Sequence, residues 1–475
     1  AGLWPHAPQT PSRVRPLKQA TDLIVLSDLH LAEGKFDDGT WSPREQFRVH
    51  KPFDNMVSYL LKRQARAGNR KLEVVLNGDI FDFLLVLHPA QGDHFKISDP
   101  SRDYSATETV ALKKLRRIAE QHKPFFTSLQ RLISAGHNVV FTIGNHDQEL
   151  YFPAVKRELI KLITAGTPRH RGTVSIKPWF HLRGDVLIEH GHRYDPLNDI
   201  AYPLSPFRDD SGTRHLRPAA GTFLVTEWAN KLRDAMPDGL KVSSARELWQ
   251  TFRRLPPEFS RLAGLMASLS DRTGPLDPAA ASKVVGAHRH AIQKIAGDPK
   301  LLAQLNGVRK ANNQRPLNKN DLFLLLHKLD KIRAKPYLRT KEKRTFASKL
   351  RSVVRMLMPR NILPWINRRQ GSTIREGERT VLETMANVTV TGHTHHPYLY
   401  KLSLGGKDKQ LVNSGSWAHS GGVDKLTFVD IRQRRGKPTT VRLRRWDTAK
   451  HRPTADRAHA RTYKPGRFPS TRALH

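Results

Sequence analysis

Leu23-Ile24-Val25-Leu26 runs directly into Ser27-Asp28-Leu29-His30, and this join of apolar run to polar turn decides the fold. A short β-branched run predicts a buried strand, and its abrupt end puts ionisable groups at the strand's carboxyl edge. The pattern recurs four times. Val74-Val75-Leu76 leads to Asn77-Gly78-Asp79, and Val139-Val140-Phe141-Thr142-Ile143 leads to Gly144-Asn145-His146-Asp147. Val186-Leu187-Ile188 leads to Glu189-His190-Gly191-His192, and Val388-Thr389-Val390 leads to Thr391-Gly392-His393-Thr394-His395. Between the early strands, Phe53, Met56, Val57, Leu60 and Leu61 recur at the spacing of one buried helix face. Strands alternating with helices predict an α/β domain, whose ligands gather beyond the strands' carboxyl ends.

Those ends hold a consistent set of donors. Divalent ions in hydrolases take carboxylate oxygen and imidazole nitrogen, and a pair of ions needs a bridging ligand. Asp28 and His30 are alternate residues of an extended turn and point the same way. Asp79 follows a glycine that lets the chain turn tightly, as a bridging carboxylate requires. Asn145 offers an amide oxygen, and His190, His393 and His395 offer imidazoles. Seven candidate metal ligands therefore follow five strands. None is a thiolate, because the chain has no cysteine, which also excludes disulfides and cysteine nucleophiles.

The ordered set Asp28/His30, Gly78-Asp79-Ile80-Phe81-Asp82, Gly144-Asn145-His146-Asp147, His190-Gly191-His192 and Gly392-His393-Thr394-His395 resembles the calcineurin-like metallophosphoesterases. The likeness covers roughly 20–200 and 385–446, as in a bacterial-type member with a large helical insertion. It implies a four-layer α/β/β/α sandwich and a dinuclear metal centre. Asp28, His30 and His395 would hold one ion, Asn145, His190 and His393 the other, and Asp79 would bridge them. His146 would face the substrate phosphate, with Asp147 orienting or polarising it. Asp82, His192 and His396 would stand near the site without ligating. Two ions roughly 3.5–4 Å apart can hold a hydroxide for in-line attack on phosphorus. Oxygen and nitrogen donors suit Mn first, with Fe, Zn, Co or Ni as alternatives. The implied activity is hydrolysis of a phosphomonoester, phosphodiester or pyrophosphate bond.

Departures weigh the branches of that family. Phe83-Leu84 follow Asp82, where protein Ser/Thr phosphatases carry Arg-Gly. The UDP-diacylglucosamine pyrophosphatases of lipid A synthesis are similar in Ser27 to Leu31, in Gly392 to Pro397 and in Asn413-Ser414-Gly415-Ser416-Trp417, but usually carry Arg at the position of His146. The double-strand-break-repair nucleases are similar at Gly78 to Asp82 and Gly144 to Asp147. A metal-binding scaffold without activity would have lost a ligand or His146, and all are present.

The rest of the chain frames this core. A length of 475 residues exceeds one ordinary hydrophobic core, and 38% apolar residues suffice for a large one. Boundaries follow the texture: an extension over 1–20, core over 21–205, a basic helical insertion or cap over 206–383, core over 384–447, and a basic, disordered tail over 448–475. The insertion carries two apolar stripes, Leu322, Phe323, Leu325, Leu326, Leu329, Ile332 and Leu350, Val353, Val354, Leu357, Met358. Gly405-Gly406 marks a hairpin between Leu399–Leu404 and Gln410–Asn413, followed by strands near 426–431 and 441–446. The net charge of +38 favours an anionic, phosphate-containing substrate, and beyond it nucleic acid or an anionic membrane surface met by the insertion and tail. No apolar run reaches the roughly 18 residues of a membrane span. The stretch to Ala20 lacks the apolar run of a signal peptide, and the start at Ala1 leaves a removed one open. The expected location is the cytoplasm, with peripheral membrane attachment as its variant.

Overall fold

The structure, a computed structural model, describes residues 21–86, 106–167, 172–226, 278–332 and 376–462, with one- or two-residue gaps between 196 and 224 and between 421 and 458. The decisive strand, Thr21–Leu26, is the middle of a seven-stranded sheet. Its order is Arg452–Ala455, Thr440–Asp447, Thr427–Gln433, Thr21–Leu26, Leu72–Asn77, Asn138–Thr142 and Val174–Lys177. From Thr21–Leu26 toward Val174–Lys177 the pairing is parallel, so the turns bearing Asp28, Asp79 and Asn145 leave the same edge. The other half is antiparallel.

A six-stranded sheet carries the remaining motifs, in the order Ala460–Thr462, Tyr398–Leu404, Lys407–Asn413, Val388–Thr391, Val186–Glu189 and Phe180–Arg183. Val186–Glu189 and Val388–Thr391 lie parallel, with Val186 opposite Val388. Their following turns, with His190 and His393, therefore emerge side by side although some two hundred residues separate them in sequence.

Burial follows the two-residue period of the strands. Leu23, Val25, Val75 and Val140 of the first sheet join Val186, Ile188, Val390 and Val412 of the second in one apolar cluster. Ile24, Leu26, Leu76 and Phe141 point the other way, into a cluster with helices His50–Arg66, Glu108–Gln121, Lys123–Ser134 and Pro153–Thr164. Phe53, Met56, Val57 and Leu60 are buried on one face of the first of these, as their spacing predicts.

The described part of the insertion is mainly helical: Pro278–Ala296, Pro299–Ala311 and Lys319–Lys331. Leu305, Leu322 and Leu326 are fully buried in a cluster with Trp179, Leu182 and Leu187, so these helices pack on the second sheet together with helix 376–384. Each such leucine stabilises the contact by about 1.5–3 kcal/mol. Asn318 and Asp321 close a capping box that starts the last of them. Of the first stripe, Leu322, Leu326 and Leu329 are buried and Phe323, Leu325 and Ile332 partly so. The second stripe, the extension 1–20 and the chain beyond 462 lie outside the described residues.

Two local features add to the expected texture. A strand pair, Phe207–Asp210 and Thr213–Leu216, follows residue 205. Leu216 packs in the first sheet's outer cluster and its N–H donates to Ala106 O. The tail is not wholly without structure. Arg452–Ala455 and Ala460–Thr462 pair with sheet edges through backbone hydrogen bonds, which ask little of an Arg- and Pro-rich sequence. Among the described residues no helix is long and apolar enough to cross a membrane.

Candidate metal centre

All seven candidate ligands meet where the carboxyl ends of the two sheets converge. Asp28, His30 and His395 offer atoms within 4.8 Å of one another, and so do Asp79, His190 and His393. In the first group His395 Nε2 stands 3.1 Å from Asp28 Oδ1 and 3.2 Å from His30 Nε2. In the second, His190 Nε2 stands 3.1 Å from Asp79 Oδ2 and 3.3 Å from Asn145 Oδ1. Asp79 Oδ2 also faces His30 Nε2 at 4.0 Å, so one oxygen lies between the groups.

This donor set fits divalent ions. Ligands about 2.1 Å from one ion stand roughly 3.0–3.4 Å apart in octahedral or tetrahedral geometry, as His395 does from Asp28 and His30 and His190 does from Asp79 and Asn145. The imidazoles are also set in the required orientation. His30 Nδ1 is held by Asp82 Oδ2 at 2.8 Å, His190 Nδ1 by Asn77 O at 2.9 Å, and His393 Nε2 by Asp195 Oδ2 at 2.8 Å. Each ring thus commits one nitrogen to an oxygen acceptor and leaves the other to the site, the usual support of a metal-ligating histidine.

The backbone is strained to achieve this. Of ten described non-glycine residues with positive φ, five are Asp28, His30, Asp79, His393 and His395, between 52° and 70°. Left-handed backbone costs an L-residue about 1 kcal/mol or more and concentrates where function demands it. Two motif glycines explain themselves by contact. A Cβ on Gly78, whose φ is 73°, would lie 2.5 Å from His190 Cγ, and one on Gly144 would overlap Asp79 Oδ1.

Charge is balanced by neighbours. Burial opposes ionisation of Asp79, but His190 and His146 outweigh it and hold the carboxyl well below its usual range. Burial likewise opposes the charge of His190, which Asp79 nonetheless raises to about 9. His146 is partly exposed and its Nδ1 lies 2.9 Å from Asp82 Oδ2. Against burial, Asp82 and Asp79 raise His146 to about 10. Buried His192 sits beside His190, ring centroids 5.4 Å apart, and burial with the flanking histidines pushes it well down. His396 is exposed.

Asp147 acts on His146 through its charge and not through a hydrogen bond. Its two oxygens accept Gly144 N–H at 2.5 Å and Ile80 N–H at 2.9 Å, bracing the second and third turns against each other. The carboxylate against the His146 ring is Asp82. Burial and Asp79 push Asp147 up to about 7.

Two participants were not picked out from sequence. Asp195 Oδ2 holds His393 and also accepts from Asn198 Nδ2 at 2.8 Å, and Asn198 Oδ1 accepts from Asn145 Nδ2 at 3.2 Å. One carboxylate so orients two candidate ligands of one group. Asp195 follows His190 by five positions, on the same turn.

A mixed α/β fold gathers histidines and carboxylates from two sheets into groups that could hold metal. Residues 22–233 match the family model of the calcineurin-like phosphoesterases, which identifies that segment as a domain of the family. The fifth motif lies beyond the matched residues, and the second sheet joins it to them. No curated protein matches the chain.

Proposed function

We propose that this chain is a dinuclear-metal phosphoesterase that hydrolyses a phosphomonoester, phosphodiester or pyrophosphate bond. The observation that carries the reading is the orientation of the three imidazoles, each with one nitrogen held by Asp82, Asn77 O or Asp195 and the other turned into the site. Asp28, His30 and His395 would hold one ion, and Asn145, His190 and His393 the other, with Asp79 between them. Manganese is the first choice, since these donors suit it and no thiolate competes. Such ions supply Lewis acidity and an activated water at neutral pH. The chain's own residues do the rest. Asp82 holds His146 at the rim, where its Nε2 can donate to a phosphoryl oxygen or to the leaving oxygen. Asp147 keeps the turns of Asp79 and Asn145 in register. No side chain need become a nucleophile. Basic charge supports an anionic substrate and leaves nucleic acid or an anionic membrane surface as partners to be tested.

The test is hydrolysis of a panel of monoesters, diesters, nucleotide-linked pyrophosphates and nucleic acids by protein reconstituted with Mn²⁺. Metal-dependent turnover of any of these is expected. A folded chain that binds Mn²⁺ and cleaves none would be the metal-binding scaffold, and one fully active in exhaustive chelator would overturn the metal reading.

A further inference from the structure

The turn that carries His190 and Asp195 is gripped from the insertion. His192–Tyr194 forms a single tight turn between them, and all three residues are buried. Arg193 Nη2 pairs with Asp330 Oδ1, on helix Lys319–Lys331. The other oxygen of Asp330 accepts from His288 Nε2 at 2.9 Å, while His288 Nδ1 accepts Leu204 N–H at 3.3 Å. The Arg193 guanidinium also lies over the Trp179 ring, 3.8 Å from its centroid. Tyr194 O–H donates to Glu189 at 2.9 Å, and a Cβ on Gly377 would lie 2.5 Å from the Tyr194 ring, so helix 376–384 abuts it closely. A buried charge needs partners of this kind, and both oxygens of Asp330 have them. A buried ion pair is poor support for stability compared with apolar packing, but it fixes one geometry.

We propose that Arg193 and Asp330 are positioning residues through which helix Lys319–Lys331 holds the turn 191–195, and with it the His190, His393 and Asn145 half of the metal site. The chain of contact is short. Asp330 fixes Arg193, the turn carries Asp195 two residues on, and Asp195 orients His393 directly and Asn145 through Asn198. No comparable contact from these helices reaches Asp28, His30 or His395 among the described residues. The two halves of the site should therefore respond differently. This inference rests on the proposed metal centre.

The experiment is calorimetric titration of the metal-free 475-residue chain with Mn²⁺. Wild type, Asp330→Asn and the apolar pair Arg193→Met/Asp330→Leu are compared, each also with His30→Ala to isolate the second half. The apolar pair removes both charges together, so folding is retained where the single change strands Arg193. We expect the half containing His190 and His393 to weaken about 10–30-fold, the lower part of the range for supports of metal ligands, and the other half to stay within twofold. Asp330→Glu, which restores a carboxylate, should recover most of the loss. Unchanged affinities at both halves in the folded pair variant overturn the proposal, as does equal weakening of both, which marks a merely structural role. A wild-type chain that binds no Mn²⁺ overturns the metal centre itself, a result distinct from either.

Discussion

Replacing Asp195 with Ala should cost the site one ion far more than the other. The carboxylate sits 2.8 Å from His393 Nε2 and is nearly inaccessible, so its bond is charge-assisted and little screened. It also steers Asn145 through Asn198, which means one deletion frees two candidate ligands of the same group to rotate. Removing a support of this kind lowers metal affinity about 10–100-fold, or ~1.4–2.8 kcal/mol, and the double duty places Asp195 toward the upper end. Asp195→Asn keeps an acceptor oxygen without the charge, so about half of that free energy, a roughly 3–10-fold loss, is expected. Mn²⁺ titration with elemental analysis of the dialysed protein reads both values. The Asp28, His30 and His395 half should keep its affinity within twofold. If Asp195→Ala, shown folded by circular dichroism, binds both ions as wild type does, the orientation argument is wrong.

Asp79→Asn should lower occupancy of both ions and abolish most turnover, because one Asp79 oxygen faces both histidine groups; retention of two ions by elemental analysis would count against the bridging role. His146→Asn should leave metal content near wild type while turnover falls by about 10²–10⁴-fold, the range for a positioned acid, and a variant that instead loses its metal would refute the assignment. Stability should depend on two histidines away from the site. Burial, aided by His122 and Lys35, lowers His50 to about 4, and burial with Lys71 lowers His137 to about 4. The unfolded chain, with ordinary values near 6.5, therefore binds more protons between those values. Their contribution is complete above about pH 6.5 and is lost as pH falls toward 4. Thermal unfolding followed across that window should show a falling midpoint that the double variant His50→Gln/His137→Gln flattens; equal slopes in the two proteins would contradict it.

What could be read from the sequence was what the chain keeps local. Each strand and its terminal turn are contiguous, so Asp28, Asp79, Asn145, His190 and His393 announced themselves by following apolar runs, and the structure brings them together. Helix His50–Arg66 was equally plain because its 3.6-residue period is uninterrupted. The strands Val174–Lys177 and Phe180–Arg183 alternate apolar with polar residues over four positions, so neither offers the continuous apolar run that marks Val186–Glu189. Arg452–Ala455 and Ala460–Thr462 contribute mostly backbone to sheet edges, so their side chains carry no strand signal.

The supports of the ligands were hidden for a different reason. Asp195 and His393 lie 198 positions apart, and Arg193 and Asp330 lie 137 apart. Only the pairing of Val186–Glu189 with Val388–Thr391, and the helices laid over them, make such residues neighbours. Where local rules are broken, the two levels meet again. A strand that ends in aspartate or histidine at positive φ is locally unfavourable, and it persists only if the surroundings hold it. Here they do, through Asp82, Asn77, Asp195 and the close-fitting Gly78 and Gly144. Half of the described strained residues are candidate ligands, and the residues holding them come from distant parts of the chain. Ligand identity is thus a local property of this sequence, whereas ligand orientation is a property of its topology.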